Sequence, residues 1–198
     1  MAGRNRRQAG APRESFADRR ARHAEIDDPE FVLAAALRFL EVRQRSVAEI
    51  RRRLAQAGYR SSLIEGALGR LLELGMLDDA SFAKAWVESR DRARPRGERA
   101  LRRELQIKGI DRTIVDGSMA ARRPEPGGAD DPDLAAAEVL MRRHMSALVR
   151  IADPRKRRQR AYALLARNGF DPEIASTLAA KVAMTGQGQS EEDDAASD

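Results

Sequence analysis

The stretch that decides the fold is Gly75–Asp111, which reads GMLDDASFAKAWVESRDRARPRGERALRRELQIKGID. Asp78 or Asp79 can begin a helix, because an aspartate carboxylate accepts a hydrogen bond from an N–H group that the first turn leaves unpaired. Pro95 and Gly97 predict the end of this helix. Between these limits one stripe has helical spacing and is made of Phe82, Ala83, Trp86, Val87 and Arg90.

The same stretch predicts two further helix boundaries. A second helix begins near Glu98 and carries Leu101 and Leu105 four residues apart, which places both leucines on one face. Gly109 predicts its end, and Asp111 can cap a third helix. The stretch therefore predicts a structural unit of three short helices.

A turn motif, leucine followed four residues later by glycine and then an apolar residue, occurs three times: at Leu54–Tyr59, Leu105–Ile110 and Leu165–Phe170. Each copy predicts a helix, a left-handed glycine stop, an apolar residue that folds back and a capped helix. Isoleucine follows the glycine by six residues in the first copy and by five in the other two, at Ile64, Ile114 and Ile174. We therefore expect one extra residue in the first copy. Such self-similarity is typical of stacked helical repeats.

The predicted fold class is all-α, because no segment alternates with a period of two residues. We expect an elongated array of three tandem three-helix repeats with disordered termini. Asp-Pro pairs at residues 131, 153 and 171 predict helix starts in the last repeat. In chain order, the predicted parts are a disordered basic arm (1–28), repeat one (29–77), repeat two (78–123), a linker rich in Pro and Gly (124–132), repeat three (133–185) and a disordered acidic tail (186–198).

Repeat one is predicted in more detail from its caps. Its first helix begins at Pro29 and ends near Arg45, and Ser46–Glu49 has the pattern of a capping box that starts the second helix. Ser62–Glu65 has the same pattern for the third helix, and Gly75 predicts that helix's end. The apolar side of the first helix is predicted to consist of Phe31, Leu33, Leu37 and Leu40.

Composition and charge favour a helical protein with a polyanionic or acidic partner. Of the 198 residues, 42% are hydrophobic, 34% are charged and only 4% are aromatic. The tail from Gly186 carries five acidic residues and no basic one, so the rest of the chain has a charge of +11 against a total of +6. Such a basic body favours nucleic acid or an acidic protein surface, although plain solubility is an alternative reading.

The sequence lacks the residues or motifs that several classes of chemistry require. The chain has no cysteine, which excludes disulfides and zinc–thiolate sites, and it has no phosphate-binding P-loop motif. Its two histidines, His23 and His144, do not form a local metal motif. Asp78 and Asp79 are interpreted as caps rather than catalytic carboxylates, and Trp86 as a core residue rather than a base-stacking platform. We therefore expect no enzyme activity, no metal and no cofactor.

Targeting signals are also missing from the sequence. No apolar stretch is long enough to span a membrane, and the arginine-rich beginning of the chain lacks the apolar core of a signal peptide. The expected location is the cytoplasm.

Arginine is the residue type that remains for binding, since its planar fork can hold phosphate or carboxylate through two parallel hydrogen bonds. The alternative is a solvated face that Asp91, Glu98 and Glu104 partly offset. One group of cations lies in repeat two and comprises Arg90, Arg92, Arg94, Arg96, Arg99, Arg102, Arg103 and Lys108. A second group lies in repeat three and comprises Arg142, Arg143, Arg155, Lys156, Arg157, Arg158 and Arg160.

Three sets of residues together point to a family. Repeat two contains Gly75-Met-Leu-Asp78-Asp79-x-x-Phe82-Ala83-x-x-Trp86-Val87-x-x-Arg90, then Arg96-Gly97 and Leu101-x-x-Glu104-Leu105-x-x-Lys108-Gly109-Ile110. Repeat one contains Arg43-x-Arg45-Ser46-x-x-Glu49-Ile50 with Leu54, and repeat three contains Leu164-Leu165-Ala-Arg167-x-Gly169-Phe170. These motifs resemble the RecX regulators of bacterial RecA recombinase over roughly residues 30–184. The likeness is most specific in repeat two, and the linker at 124–132 departs from it.

The resemblance implies a curved array of three-helix repeats in the helical groove of the RecA–DNA filament. Family members there restrain filament growth, ATP hydrolysis and strand exchange, which belong to DNA repair and the SOS response. It implies a monomer that is not an enzyme, with the RecA filament as partner and DNA phosphates within or beside it. The contact candidates are Arg90, Arg96, Arg99, Arg102, Arg103 and Lys108 in repeat two, with Arg142 and Arg143 in repeat three.

Other interpretations stay open at this point. Arg90 is equally a candidate internal partner of Asp78 or Asp79. The charge of the body also fits a stand-alone, non-sequence-specific nucleic-acid-binding protein. The acidic tail either competes with DNA for the basic groups or acts as a solubilising end. End-capping and groove-coating of a filament are both compatible with the sequence.

Overall fold

The protein is helical throughout the residues that its structure describes. The computed structural model describes residues 15–123 and 131–184, and within these ranges it has ten helices and no strand. The helices are α1 (Phe16–Ala24), α2 (Pro29–Val42), α3 (Val47–Ala57), α4 (Ser61–Glu73), α5 (Asp79–Ala93), α6 (Glu98–Ile107), α7 (Arg112–Arg122), α8 (Pro132–Val149), α9 (Pro154–Arg167) and α10 (Pro172–Met184). The all-α prediction is therefore confirmed.

Helix α1 lies where the sequence predicts a disordered arm. The prediction for residues 1–28 is wrong for residues 16–24, and residues 1–14 lie outside the described residues. Ser15 caps the start of the helix, since its side-chain oxygen accepts a hydrogen bond from the backbone N–H of Asp18 at 3.1 Å. None of the α1 residues is buried, so the helix has no apolar stripe from which hydrophobic periodicity could predict it.

An aromatic contact holds α1 on repeat one. The His23 ring stacks on the Tyr59 ring with centroids 4.4 Å apart and 9° between the planes. The His23 Nδ1 atom lies 2.8 Å from the carbonyl oxygen of Ala57. The backbone of Arg20 lies so close to Gly58 that a Cβ atom there would clash with it. The helix is therefore a fourth element of the first unit.

Each predicted repeat has a hydrophobic core of its own. Fully buried leucine, isoleucine, valine and methionine side chains form the centres of the first two, and alanine takes a larger share in the third. The cores centre on Ile50, Leu54, Leu68 and Leu71 in repeat one, Leu101, Leu105, Val115 and Met119 in repeat two, and Ala161, Leu165, Phe170 and Ala179 in repeat three.

The buried face of α2 differs from the predicted one. Val32, Ala35 and Ala36 are its most buried residues, whereas Phe31 is 44% exposed and Leu33, Leu37 and Leu40 are partly buried. The sequence FVLAAAL is apolar on almost every side, so its periodicity does not fix which stripe faces the core. The alanines face the core because their small side chains let α2 approach the neighbouring α4 closely.

The glycine turn is the same in all three repeats. Gly58, Gly109 and Gly169 have φ angles of 103°, 77° and 81°, a left-handed conformation that favours glycine because it has no Cβ. The N–H of the next residue donates to the carbonyl of the leucine five residues earlier, at 3.3, 3.1 and 3.3 Å. These bonds pair carbonyls at the helix end that have no partner within the helix.

The register of the three turns corrects one prediction. The buried residue of the following helix comes six residues after the glycine in every copy, at Ile64, Val115 and Ala175. Ile114 and Ile174, chosen for their residue type, are only partly buried. The first copy therefore has no extra residue. Matching isoleucine to isoleucine gave the wrong spacing because burial follows backbone position and not residue type.

Most predicted helix caps are present. Ser46 and Glu49 form the predicted capping box, and Asp78 and Asp111 accept hydrogen bonds from backbone N–H groups at the starts of α5 and α7. The predicted box at Ser62–Glu65 is wrong, because α4 already begins at Ser61 and no side chain caps it. In repeat three Asp131, Asp153 and Asp171 each accept a hydrogen bond from the backbone N–H two residues ahead.

Two compact units divide the chain between Leu77 and Asp78. The first contains α1 to α4, and the second contains α5 to α10, so the predicted repeats two and three belong to one unit. Pro132, predicted to end the linker, is the first residue of α8. Residues 124–130 and the predicted acidic tail, 186–198, lie outside the described part of the chain.

Repeats two and three pack together through their backbones. The N–H of Gly97 donates to the carbonyl oxygen of Asn168 at 3.0 Å. A Cβ atom at Gly97 would lie under 3.0 Å from the backbone of Gly169 and Phe170, and one at Gly169 would lie 2.5 Å from the Cβ of Ala100. The glycine turn of repeat three therefore fits against the start of α6 only because two glycines meet there.

We predict that Gly97→Ala destabilises the second unit by about 1–3 kcal/mol, because the new methyl group must displace backbone atoms. The φ angle of Gly97 is −73°, so alanine meets no conformational strain of its own. The measurement is urea unfolding followed by the fluorescence of Trp86, the only tryptophan of the chain, which lies in this unit.

Gly117→Ala is the matched control. Gly117 lies inside α7, and an added Cβ atom would have no neighbour within 4 Å, so alanine there is expected to be neutral or to stabilise by about 0.4–1 kcal/mol. Equal free energies of unfolding for Gly97→Ala and the wild type would contradict the close packing of the two repeats.

Candidate partner-binding surface of repeats two and three

The centre of repeat two is a cluster of charges around Trp86. The carboxylate of Glu104 accepts hydrogen bonds from Trp86 Nε1 at 2.8 Å and from Arg90 Nε at 2.6 Å. The guanidinium of Arg90 lies 4.3 Å from the Trp86 ring centroid, and the ammonium of Lys108 lies 4.8 Å from it. Both distances fit cation–π contacts. Trp86 is thus a half-buried anchor for two cations and an anion.

The internal partner of Arg90 is Glu104 and not the predicted Asp78 or Asp79. Asp78 is used as a cap, since its carboxylate accepts hydrogen bonds from the N–H of Ala80 at 2.9 Å and from the Ser81 hydroxyl at 2.5 Å. The Ser81 hydroxyl first, and then the backbone N–H groups, lower the pKa of Asp78. Its interpretation as a cap rather than a catalytic group agrees with these contacts.

Arg122 at the end of α7 has an almost fully buried side chain that joins three helices. Its Nε and Nη2 atoms donate to the two carboxylate oxygens of Asp91 on α5, at 3.0 and 2.8 Å. Its Nη1 atom donates to Asp133 on α8, and Nη2 also reaches the carbonyl of Arg96 at 3.3 Å. Only 7% of the side chain is exposed. Burial acts to lower the pKa of Arg122, but the two carboxylates outweigh burial and raise it.

Asp133 also caps a helix of the neighbouring repeat. Helix α6 begins after Gly97, which has no side chain to cap it. Both carboxylate oxygens of Asp133 accept from the N–H of Glu98 instead, at 3.1 and 2.9 Å. A negative charge at this position is also favoured by the dipole of α6. Asp133 therefore links repeat three to repeat two through a cap and an ion pair.

Three of the predicted contact residues lie at the same junction. Arg96 donates to the side-chain oxygen of Asn168, and its Nε lies 3.6 Å from Glu104, too far for a hydrogen bond. Arg99 pairs with Asp171 at 3.0 Å. Arg143 on α8 donates to the carbonyls of Ala93 and Arg92 at the end of α5, at 2.7 and 3.2 Å. These cations therefore connect the two repeats.

Arg102 is paired within repeat two. It donates to Asp116 on α7 and, at 2.7 Å, to Glu98 one turn earlier on α6. The bond to Asp116 first, and then the bond to Glu98, raise the pKa of Arg102. Glu98 also accepts from Arg123 at 2.9 Å. Burial acts to raise the pKa of Glu98, but the hydrogen bonds from Arg102 and Arg123 lower it below its ordinary value.

Two predicted contact residues are exposed and unpaired. Arg103 on α6 and Arg142 on α8 have no hydrogen bond or ion pair to any residue that the structure describes. Arg94, which follows α5, shares both properties. These three side chains can meet a partner without first breaking an internal contact.

The arginines of α9 divide into one buried side chain and several exposed ones. Arg157 is only 4% exposed and donates to the carbonyls of Ile151 and Ala183 at 3.0 and 3.2 Å, so it supports repeat three from within. Arg155, Arg158 and Arg160 are exposed, without a hydrogen bond or ion pair from their side chains among the described residues.

The sequence pattern does not single out Arg122 or Asp133. The pattern of α7 marks Arg122 only as its last residue, and the partner Asp91 lies 31 residues away. Asp133 resembles an ordinary acidic residue in the first turn of α8. A signal was present at Gly97, because a helix start with no capping side chain implies that another segment supplies one.

The described residues contain neither a metal-binding group of side chains nor a helix that could span a membrane. Across 15–123 and 131–184, no three His, Cys, Asp or Glu side chains lie close enough together to hold a metal ion. No helix in those ranges has the length and apolar character that crossing a membrane requires.

Family profiles match two parts of the chain. The profile described as RecX, first three-helix domain, matches residues 33–71, and the profile described as RecX, second three-helix domain, matches residues 78–119. These ranges contain most of repeats one and two.

Curated relatives and a solved structure agree with these matches. The chain is 34% identical to the regulatory protein RecX of Mycolicibacterium vanbaalenii over 149 residues, which covers 72% of this chain and 77% of the relative. It is also 34% identical to the Mycobacterium avium protein of that name, over 72% and 79% of the two chains. The crystal structure of RecX from Lactobacillus salivarius has a similar fold, with a TM-score of 0.61, 20% identity and coverage of 79% and 97%.

We predict that Arg122→Met lowers the stability of the second unit by roughly 3–5 kcal/mol, because it leaves the carboxylates of Asp91 and Asp133, which are 34% and 13% exposed, without their common partner. Methionine keeps much of the side-chain volume, so the loss reports on charge and hydrogen bonding. Urea unfolding followed by Trp86 fluorescence measures it.

Arg99→Met is the control for the loss of an exposed ion pair. The Arg99 side chain is 65% exposed and that of Asp171 is 48% exposed, so removing their ion pair is expected to lower the free energy of unfolding by less than about 1 kcal/mol. Comparable losses for the two variants would show that Arg122 holds no special position in the junction.

Proposed function

The chain belongs to the RecX family of regulatory proteins, and from that premise we propose that it binds the RecA–DNA filament. In this proposal it is a cytoplasmic monomer that modulates RecA, restrains ATP hydrolysis, filament extension and strand exchange, and so acts in DNA repair and SOS control. It works by binding and not by catalysis. The name of its relatives supports a regulatory role, and the arrangement of arginines supports a polymer as the partner.

The observation that carries this proposal is the state of the arginines on repeats two and three. Arg122, Arg96 and Arg99 connect the repeats, whereas Arg103 and Arg142 are exposed without an internal partner in the described ranges. Two repeats held in one arrangement present their free cations at fixed positions. Such a surface suits a partner whose acidic or phosphate groups recur at fixed positions, as in a filament.

The eight predicted contact residues can be ranked by the free energy of the internal contacts that each would lose on binding a partner. Arg103 and Arg142 come first because they break no internal bond on binding. Arg99 and Arg143 come next, since exchanging an exposed pair or hydrogen bond for a partner's group costs little, about 1 kcal/mol or less. Last come the four cations that would have to give up an internal contact: Arg90 its bond to Glu104, Arg96 its bond to Asn168, Arg102 its bond to Asp116, and Lys108 its contact with the Trp86 ring.

Multivalency explains how several weak contacts can together give the affinity that a regulator needs. Each exposed arginine contributes modestly in water, where ion pairs are screened by salt. Contacts held on one rigid unit add without repeated loss of translational freedom, so successive filament subunits can be bound together. We therefore expect inhibition of RecA to weaken as salt rises.

A stand-alone nucleic-acid-binding protein is the second candidate function. The charge of +11 on the chain outside the acidic tail favours it, since phosphate contacts by Lys and Arg supply most of non-specific affinity for nucleic acid. It differs from the first proposal in needing no RecA. Tight binding to DNA with a steep salt dependence, together with no affinity for RecA, would favour this candidate.

The test is the DNA-dependent ATPase of RecA, titrated with the wild-type protein and with the double variant Arg103→Ala/Arg142→Ala. We expect the wild type to inhibit, and the variant to need on the order of tenfold more protein for the same inhibition. Neither side chain has an internal bond in the described structure, so stability should be unchanged.

Arg52→Ala provides a matched control from the first unit. Arg52 is exposed on α3 and has no described partner, so its loss removes one charge without touching repeats two and three. We expect less than a twofold effect. A wild-type protein that leaves the RecA ATPase unchanged at excess would overturn the proposed function, and equal effects of all variants would overturn the placement of the surface.

A further inference from the structure

A groove on repeat three has a lining that the proposed function does not use. It lies where α9 and α10 pack together, and it is lined by Arg155, Arg158, Gln159, Tyr162 and Ser176. None of these residues is acidic. The acidic residue in the first turn of α10, Glu173, lies one turn before Ser176 and does not line the groove.

We propose that this groove binds single-stranded nucleic acid independently of RecA. In the proposed complex a base stacks on the Tyr162 ring, and the guanidinium groups of Arg158 and Arg155 hold successive phosphates on one side of that base. Gln159 and the Ser176 hydroxyl supply hydrogen bonds to the strand. The chemical class of ligand is an unpaired, unstacked oligonucleotide, and the inference does not depend on the RecA assignment.

Helical spacing brings the three main side chains to one face. Arg158 follows Arg155 by three residues and Tyr162 follows Arg158 by four, and residues three or four apart are neighbours on a helix surface. Arg157, one residue before Arg158, points to the interior and bonds the carbonyls of Ile151 and Ala183. The buried arginine thus fixes α9, and the outer face presents the others.

Unused bonding capacity is the second argument. Arg155 and Arg158 donate no side-chain hydrogen bond to any described residue, in contrast to Arg90 or Arg102 of repeat two. Tyr162 is 38% exposed, and its ring stacks on no other described ring. An exposed aromatic ring on the same helix face as two guanidinium groups without a described partner is the combination that binding sites for single strands employ.

The Tyr162 ring decides between ligand classes. An acidic protein segment would use the arginines but has no need of an exposed ring to stack on, and a duplex keeps its bases stacked on one another. An unpaired base has a free face whatever its identity, so the proposal predicts little sequence preference. A segment of acidic protein remains the alternative outcome of the test.

The experiment is a fluorescence-anisotropy titration of the full chain with labelled oligothymidylate, without RecA. We expect Arg155→Gln/Arg158→Gln to weaken binding about tenfold or more, and to reduce the slope of log affinity against log salt by about 1.4, the value for two phosphates on a single strand. Tyr162→Ala should weaken binding roughly tenfold with the slope unchanged, and Tyr162→Phe should bind like the wild type.

Arg160→Gln is the matched charge control, since Arg160 is exposed and unpaired among the described residues on another side of the same helix. We expect it to change affinity less than twofold. Equal effects of Arg160→Gln and Arg158→Gln, or full binding by Tyr162→Ala, would overturn the proposed site. Loss of RecA inhibition by the groove variants with unchanged oligothymidylate binding would also overturn it, in favour of an acidic protein partner.

The test separates the two proposals. A wild-type protein that binds oligothymidylate through Tyr162 but leaves RecA unaffected supports the groove and contradicts the proposed function. A protein that inhibits RecA but does not bind the oligonucleotide gives the opposite result.

Discussion

The pairing of Arg122 with two carboxylates is the interaction on which the arrangement of repeats two and three depends. The guanidinium ends α7, and its partners lie on α5 and α8, so one side chain fixes three helices. Transfer of this cation out of water is unfavourable, and the bidentate bond to Asp91 and the bond to Asp133 together offset that cost. Asp133 is in turn held by the N–H of Glu98, where it replaces the capping side chain that Gly97 lacks.

The close approach of two backbones follows from that junction. Gly97 and Gly169 meet without side chains, which allows the Asn168 carbonyl in the turn of repeat three to accept a hydrogen bond at the start of α6. The carboxylates position α8, the glycines remove the obstacle, and Arg99 and Arg143 add exposed contacts around the edge.

The arginines fall into two sets, one bonded within the protein and one without a described partner, and this difference links the junction to function. An arginine-rich surface by itself is common in basic proteins and indicates little. Here one set is used internally and a second set, which includes Arg103, Arg142, Arg155 and Arg158, has no described partner. A rigid junction that presents free cations at constant distances is suited to a partner with regularly spaced anionic groups.

Much of the fold was predictable from the sequence because its signals are local. The left-handed glycines, the Ser46 capping box and the aspartate caps each depend on residues within one turn of each other, and the structure contains them. Helix α1 was missed because none of its residues is buried and it has no apolar stripe, and the buried face of α2 was missed because nearly all its sides are apolar. These failures reflect weak or uniform patterns.

The candidate site was less predictable because its bonds are distant in sequence. The motif of repeat two identified Arg90 and Glu104 as notable residues, but it did not indicate that they bond to each other across 14 residues. With 37 basic and 31 acidic residues, the possible pairings are far too many for spacing to select among them. Only the packing of α5, α7 and α8 decides that Arg122 is buried and that Arg103 is not.

Hydrogen–deuterium exchange of the full chain, free and bound to RecA filaments on single-stranded DNA, tests the central claim most directly. The account predicts that backbone amides at the junction, above all the N–H of Gly97, stay protected in both states, while amides of α6 and α8 near Arg103 and Arg142 gain protection on binding. Faster exchange at Gly97 in the complex, or gained protection confined to the first unit, would contradict it.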